Sequence, residues 1–270
     1  MKKILILGGS GFIGNCLYKE LAPYFNLFGT YCSSGRFSKQ QNFFHYHLEE
    51  NNILEIVKKV KPQLIISCLR GSFEAQVKCH EHLVDYIKTF NCRLMFFSST
   101  NVFDAFEHYP SYEYDKTLSE SRYGKYQIKI ENMLLKLAPS QYVIARIPMV
   151  FGNNAPRTKE IETLVASGSP IEVFPNTIVN VTSDRKLSQQ VHYIINQKLT
   201  GIFHLGSSDL ITHYDFIKRI VSRRNLKGVI YKQIYTTNQM RYLAALPKEN
   251  KLPSHLNVSY ESILDDLYLL

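Results

Sequence analysis

Apolar residues in this chain fall in short runs that alternate with longer stretches of helical periodicity, the pattern produced by βαβ units. Residues 3–7 read as a first strand that enters the turn Gly8-Gly9-Ser10-Gly11. Residues 12–21 then carry helical spacing and stop short of Pro23. A second strand is expected over 27–32. Asn52-Ile53-Leu54-Glu55 fits a capping box, and Ile53, Ile56, Val57 and Val60 share one face of the helix it opens. Lys61-Pro62 closes that helix ahead of a strand over 63–67. Residues 72–90 are expected to be helical, 93–98 a strand, and 123–137 a helix that feeds a strand over 142–146.

Beyond Gly152 the pattern loosens into a short helix near 158–166, an irregular strand-rich stretch to Thr182 and a strand over 201–205. Thr212-His213-Tyr214-Asp215 caps a helix to about residue 224, and a last helix is expected over 260–267. The fold class is therefore α/β, a Rossmann-type doubly wound parallel sheet with a small C-terminal substrate lobe. Residues 1–152 would form the dinucleotide-binding domain and 153–270 the lobe, with the strand near 201–205 returning to the sheet.

Composition narrows the partners. A 270-residue chain with 45% hydrophobic residues can bury a core, but the apolar runs at 4–7 and 64–66 are far shorter than the roughly 20 residues of a membrane span. Gly8 also cuts the apolar run after Met1-Lys2-Lys3 too early for a signal peptide, so a cytoplasmic protein without membrane association is expected. The five cysteines show neither a CxxC pair nor ligand spacing, which predicts buried free thiols and no metal. The net charge of +9 favours an acidic partner. The basic residues are scattered along the chain, so a phosphorylated small molecule is expected rather than nucleic acid.

The sharpest motif is Gly8-x-x-Gly11-x-x-Gly14, placed between a strand and a helix. Gly8 permits the tight turn, Gly11 a close backbone approach to a pyrophosphate, and Gly14 the packing of helix on strand. Ser10, Phe12 and Ile13 would flank the same phosphate site at the helix N-terminus, where unpaired N–H groups attract anions. NAD sites usually end the second strand in Asp or Glu, which binds the ribose hydroxyls. Here the stretch is Tyr31-Cys32-Ser33-Ser34-Gly35-Arg36, whose hydroxyls and guanidinium suit a 2′-phosphate, so NADP (as NADPH) is expected over NAD.

The run Phe96-Phe-Ser-Ser99-Thr-Asn-Val-Phe-Asp104 and, farther on, Tyr123-Gly-Lys-Tyr-Gln127 resemble the extended short-chain dehydrogenase/reductases. Within these the chain is most similar to the dTDP-4-dehydrorhamnose reductase (RmlD-like) family. Arg146-Ile-Pro-Met-Val-Phe-Gly152, Val181-Thr182 and Gly201-Ile-Phe-His-Leu-Gly206 extend the likeness through most of the sequence. The resemblance implies NADPH-dependent reduction of a 4-keto-6-deoxy sugar nucleotide in polysaccharide biosynthesis. It makes Ser99 the hydroxyl that holds the carbonyl and Tyr123 the proton donor. It also places Thr100, Asn101, Met149 and Thr182 at family substrate positions and His47 near the adenine.

One departure stands out, because the family's lysine four residues after the tyrosine is Gln127. A neutral amide still hydrogen-bonds a ribose but supplies no charge to a phenolate. Lys125 and Lys129 lie two and six residues from Tyr123, at helical angles that point away from it, so neither replaces the cation. A cation worth two to three pKa units corresponds to about 3–4 kcal/mol, or on the order of a hundred- to a thousand-fold in rate. Tyr112 and Lys116 have the same spacing but lie in a Pro- and acid-rich stretch that reads as loop. Besides the reductase, the resemblance leaves two alternatives. One is a nucleotide-binding regulatory protein without turnover, of which the regulatory β subunit of methionine adenosyltransferase is a precedent. The other is a nucleotide-sugar epimerase or dehydratase. A homodimer or a partner enzyme is compatible with each.

Overall fold

The computed structural model describes residues 2–33 and 35–267, so Ser34 lies outside the described residues. In chain order the first elements are β1 (Lys3–Leu7), α1 (Phe12–Leu21), β2 (Asn26–Tyr31), β3 (Phe43–His45), α2 (Ile53–Val60), β4 (Leu64–Ser67), α3 (Phe73–Thr89) and β5 (Arg93–Ser99). They are followed by α4 (Arg122–Leu134), β6 (Tyr142–Ile147), β7 (Met149–Phe151), α5 (Pro156–Ala166), β8 (Ile171–Val173), β9 (Thr177–Val179) and β10 (Val181–Ser183). The chain ends with α6 (Asp184–Asn196), β11 (Gly201–His204), β12 (Ile211–Thr212), α7 (His213–Arg223), β13 (Tyr231–Gln233), β14 (Arg241–Leu243) and α8 (Tyr260–Asp266).

Seven strands form one parallel sheet in the order β11-β6-β5-β4-β1-β2-β3. Apart from Lys3 and Ser67, the central strands β1 and β4 are apolar, as a sheet covered on both faces requires. Leu5, Leu7, Ile65, Leu94, Phe96 and Ile144 face α2, α3 and α4. Ile4, Ile6, Ile66, Met95 and Ala145 face α1 and α6. The elements expected from apolar periodicity up to β6 are all present, with ends displaced by a few residues at most, the largest shift being at the C-terminus of α4.

Helix α6 was not anticipated. The Ser183 side chain caps it by accepting from the Lys186 N–H at 3.2 Å. Its Leu187, Val191, Ile194 and Ile195 pack beside Leu17 and Leu21 of α1. Between β6 and α6 the chain makes a parallel pair of β10 with β7, a β8 that later pairs with β13, and a β9 that joins β12 and β14. Phe151, Val173, Val181, Phe216, Ile220, Ile263 and Leu264 form a separate core among these elements.

All five cysteines are free, but only Cys79 and Cys92 are buried. Cys32 is exposed because the chain leaves the sheet where β2 ends, which corrects the expectation of uniformly buried thiols. Among the described residues no helix is long and apolar enough to cross a membrane.

Candidate functional site

A cavity of about 840 Å³ opens at the C-terminal ends of the parallel strands. It lies where the sheet order reverses between β1 and β4, the usual ligand position in open α/β sheets, and its size suits a dinucleotide-scale ligand. Gly8, Ser10, Gly11, Phe12, Ile13 and Gly14 form one wall. Tyr123, Tyr126 and Gln127 form the opposite end.

The turn between β1 and α1 is shaped by what it cannot accommodate. Gly8 has φ +75°, and a Cβ there would lie 2.7 Å from the Cys68 carbonyl oxygen. A Cβ on Gly14 would lie 2.2 Å from the Gly8 carbonyl oxygen, so α1 sits directly on the turn. Thr30 of β2, which the sequence reading passed over, pins the turn from behind. Its Oγ1 accepts from the Gly8 N–H at 2.8 Å and its carbonyl accepts from the Ser10 N–H at 3.1 Å. Gly11 precedes α1 without a side-chain cap, so the first-turn N–H groups find no side-chain oxygen at the N-cap.

At the end of β2, Tyr31 and Cys32 line the cavity. Ser33 and Arg36 are exposed and lie outside its lining. The Arg36 guanidinium stands over the Phe37 ring at 4.8 Å. No carboxylate follows β2 directly; the acidic residue of the lining is Glu49, beyond β3. His47 also lines the cavity, with its backbone N–H donating to Asn51 Oδ1 at 2.6 Å and its Nδ1 3.5 Å from a Glu50 carboxylate oxygen.

At the other end, Gln127 is 3% exposed and its Nε2 donates to the Tyr126 hydroxyl at 2.8 Å. Gln127 Oε1 is buried without a hydrogen-bond partner, and so is the hydroxyl of Ser98. Both residues line the cavity. Tyr126 stacks on Phe73 with ring centroids 4.3 Å apart, and Tyr123 meets it edge-on at 5.4 Å. Burial, and then the adjacent Tyr123 phenol, push the Tyr126 hydroxyl above its ordinary pKa. Arg70 and Arg157 line the same cavity. Lys125 and Lys129 are exposed and do not.

Ser99, Thr100 and Asn101 lie outside the cavity's lining. The Ser99 hydroxyl accepts from the Asn101 N–H at 3.2 Å and donates to Asn101 Oδ1 at 3.0 Å, capping a 3-10 turn. Thr100 is buried in that turn. Met149 packs against the second core, and Thr182 is fully buried on β10. Tyr112 and Lys116 belong to a loop outside the cavity's lining, where Lys248 Nζ lies 5.4 Å from the Tyr112 ring centroid.

A buried ion pair holds α4 in place. Arg146 of β6 donates to both Glu131 carboxylate oxygens, from Nη2 at 2.7 Å and from Nε at 3.0 and 3.3 Å, with both residues at most 2% exposed. Its Nη1 donates to the Glu113 carbonyl at 2.9 Å and lies 3.3 Å from His204 Nε2. The Glu113 carboxylate in turn accepts from the backbone N–H groups of Lys248, Glu249 and Asn250 at 3.0–3.3 Å. At the N-terminus of α4, Asp104 accepts from the Ser119 and Ser121 hydroxyls and from the Glu120 N–H. Glu131 follows Gln127 by one helical turn, so these anchors fix the face that α4 turns to the cavity.

The residues present fit a nicotinamide dinucleotide. The glycine cradle leaves room only for backbone, α1 directs its N-terminus at the cavity, and two buried polar atoms at the far end lack protein partners.

Residues 1–257 match the RmlD substrate binding domain. Methionine adenosyltransferase 2 subunit beta of Danio rerio is 22% identical over 249 residues, covering 83% of this chain and 75% of that protein. The dTDP-4-dehydrorhamnose reductase of Bacillus anthracis in complex with NADP superposes with a TM-score of 0.78 at 19% identity, over 100% of this chain and 99% of that one. The dTDP-glucose 4,6-dehydratase of the same organism in complex with NAD gives 0.79 at 15% identity, over 99% and 96% of the two chains.

Proposed function

We propose, from the premise that this chain belongs to the RmlD substrate binding domain family, that it reduces the 4-keto group of a sugar nucleotide with NADPH bound along the cavity. The observation that carries this reading is one continuous cavity that joins the glycine turn to Tyr123. Gly8, Gly11 and Gly14 would hold the pyrophosphate with His47 near the adenine, while Gln127 Oε1 and Ser98 Oγ would take the hydrogen bonds they lack at the nicotinamide end. NADPH is preferred to NADH in this reading because β2 is followed by Ser33, Ser34 and Arg36 rather than by a carboxylate. The bound dinucleotide supplies hydride to the keto carbon.

The chain's own residues manage the proton. Tyr123, at the cavity mouth, gives its phenolic proton to the carbonyl oxygen, and a serine hydroxyl at the end of β5 donates to the same oxygen. Ser99 holds that role by family position, and its hydroxyl must leave Asn101 to perform it. Arg70 and Arg157 give the mouth a positive field that suits a sugar nucleotide. Residues 1–152 supply the dinucleotide site in this scheme, and the elements of 153–270 around the second core close over the sugar.

The test is NADPH oxidation by the purified protein given a dTDP-4-keto-6-deoxy sugar, with cofactor binding followed by fluorescence in the same sample. Turnover supports the reductase. Tight binding with no turnover favours a second reading, a regulatory subunit that keeps the dinucleotide fold, which Gln127 and the likeness to a methionine adenosyltransferase β subunit both support.

A further inference from the structure

Three residues of α4, Tyr123, Tyr126 and Gln127, follow at spacings of three and four, which places them on one helical face. All three line the cavity. An amide NH₂ only donates, so at the 2.8 Å contact the Tyr126 oxygen is the acceptor and keeps its own proton for another partner. The ring that carries this hydroxyl has little freedom, being stacked on Phe73 at an interplanar angle of 13° and met edge-on by Tyr123 at 81°. Tyr126 is itself buried, 9% exposed, whereas Tyr123 is 41% exposed at the mouth.

We propose that Tyr126 and Gln127 together perform for Tyr123 the task that a single lysine performs in the reductases this chain resembles. Gln127 Nε2–H donates to the Tyr126 oxygen, and the Tyr126 O–H, polarised by that bond, donates to the Tyr123 oxygen as negative charge builds there. Tyr126 and Gln127 are positioning residues in this scheme, and the inference rests on the reading of Tyr123 as proton donor. Burial, and then the Tyr123 phenol, raise Tyr126 against the opposing Gln76 side chain, so Tyr126 retains its proton and remains a donor. The amide orientation completes the arrangement. With Nε2 committed to Tyr126, the unpartnered Oε1 is the atom left for a hydroxyl of the bound ligand, where a lysine would offer a donor.

The charged groups around Tyr123 are held constant by the test. They are Arg122 on α4, which lies 3.6 Å from Glu74 of α3, Arg70 after β4, and Arg157 with Glu160 on α5. None of them is altered when Tyr126 becomes Phe, which keeps the ring and removes only the hydroxyl.

The experiment labels tyrosine Cζ with ¹³C in the full-length protein, assigns the Tyr123 signal with Tyr123→Phe, and titrates it in the wild type and in Tyr126→Phe, Gln127→Glu and Gln127→Lys. A hydrogen bond to the charged form favours ionisation, so its loss in Tyr126→Phe moves the Tyr123 midpoint about one pH unit higher. The Gln127→Glu carboxylate can only accept, which turns the Tyr126 proton away from Tyr123 and moves the midpoint at least as far in the same direction. Gln127→Lys moves it lower. Gln127→Met removes the amide donor without touching a ring and replaces Tyr126→Phe if that variant loosens α4. A Tyr123 midpoint that stays within about 0.3 unit in both Tyr126→Phe and Gln127→Met overturns the inference. In turnover, Tyr126→Phe shifts the alkaline limb of the kcat profile by the same interval and lowers kcat about tenfold at unchanged KM. Because the NMR titration needs no turnover, an inactive protein that still shows these shifts contradicts the proposed reaction alone.

Discussion

The two ends of the cavity are built from different materials. At the end proposed for the dinucleotide the wall is main chain: glycines that exclude Cβ atoms, a turn pinned by Thr30, and a helix N-terminus. At the end proposed for the reaction the wall is side chain, with Tyr123, Tyr126, Gln127 and Ser98 supported by the buried pairing of Arg146 with Glu131. The first end is therefore set by a few glycine positions, whereas the second depends on the identity of each side chain.

The largest effect expected on either side is that of Tyr123→Phe, which should lower kcat by about 10²- to 10⁴-fold and leave NADPH affinity within about twofold, as measured by steady-state kinetics and fluorescence titration. Equal losses in binding and turnover would erase the contrast between the ends. Ser98→Ala and Ser99→Ala refine the same point. Loss of turnover in the first and not the second would move the carbonyl-holding role to the serine that already lines the cavity.

Acid should weaken the buried cluster around Arg146. Burial first, and then the Arg146 charge, lower the His204 pKa from 6.5 to about 4, so the folded state keeps this imidazole neutral while the unfolded chain protonates. Its contribution is intact above pH 6.5 and is lost as pH falls toward 4, by about 3 kcal/mol if fully expressed. Burial also raises the Glu113 carboxyl, but its backbone N–H donors together reverse this and hold it below the ordinary value, so its contribution fades only at lower pH. Urea unfolding at pH 7 and pH 4.5 checks the sign, and His204→Gln should flatten the difference.

Gly14→Ala attacks the other end. With a Cβ 2.2 Å from the Gly8 carbonyl oxygen, α1 must shift, and stability should fall by about 1–3 kcal/mol together with a loss of NADPH binding. A variant that binds normally would show that the turn is less rigid than its contacts require. The smallest effect expected is from Arg36→Ala, which should narrow the preference for NADPH over NADH about tenfold in dissociation constants. An unchanged ratio would assign the preference to other groups of that loop.

The same contrast explains what could be read from the chain. Gly8, Gly11 and Gly14 made the tight turn between β1 and α1 legible because glycine spacing between a strand and a helix encodes backbone shape directly. The β1 and β4 strands were legible as continuous apolar runs. Helix α6 was missed although Leu187, Val191, Ile194 and Ile195 follow helical spacing behind Ser183. Intervening Ser188, Gln189, Gln190 and His192 dilute that stripe, and its burial depends on α1, far away in sequence. At the reacting end the sequence showed that a lysine was absent but not what surrounds the gap. Tyr126 is ordinary beside Tyr123 until Phe73 of another helix fixes its ring. Arg70 and Arg157 come together only when the loop after β4 meets the first turn of α5.

The return of the chain to β11 has a further consequence, for the order of events during synthesis. Residues 148–200 separate β6 from the strand that pairs with its outer edge. On a growing chain β6 therefore stands as an open strand edge until some fifty more residues have emerged, a span in which unpaired backbone is exposed to other chains. Parallel pairing across so long a loop is slow, so closure of the sheet should be the late step, and chaperone dependence or low-temperature expression its practical sign.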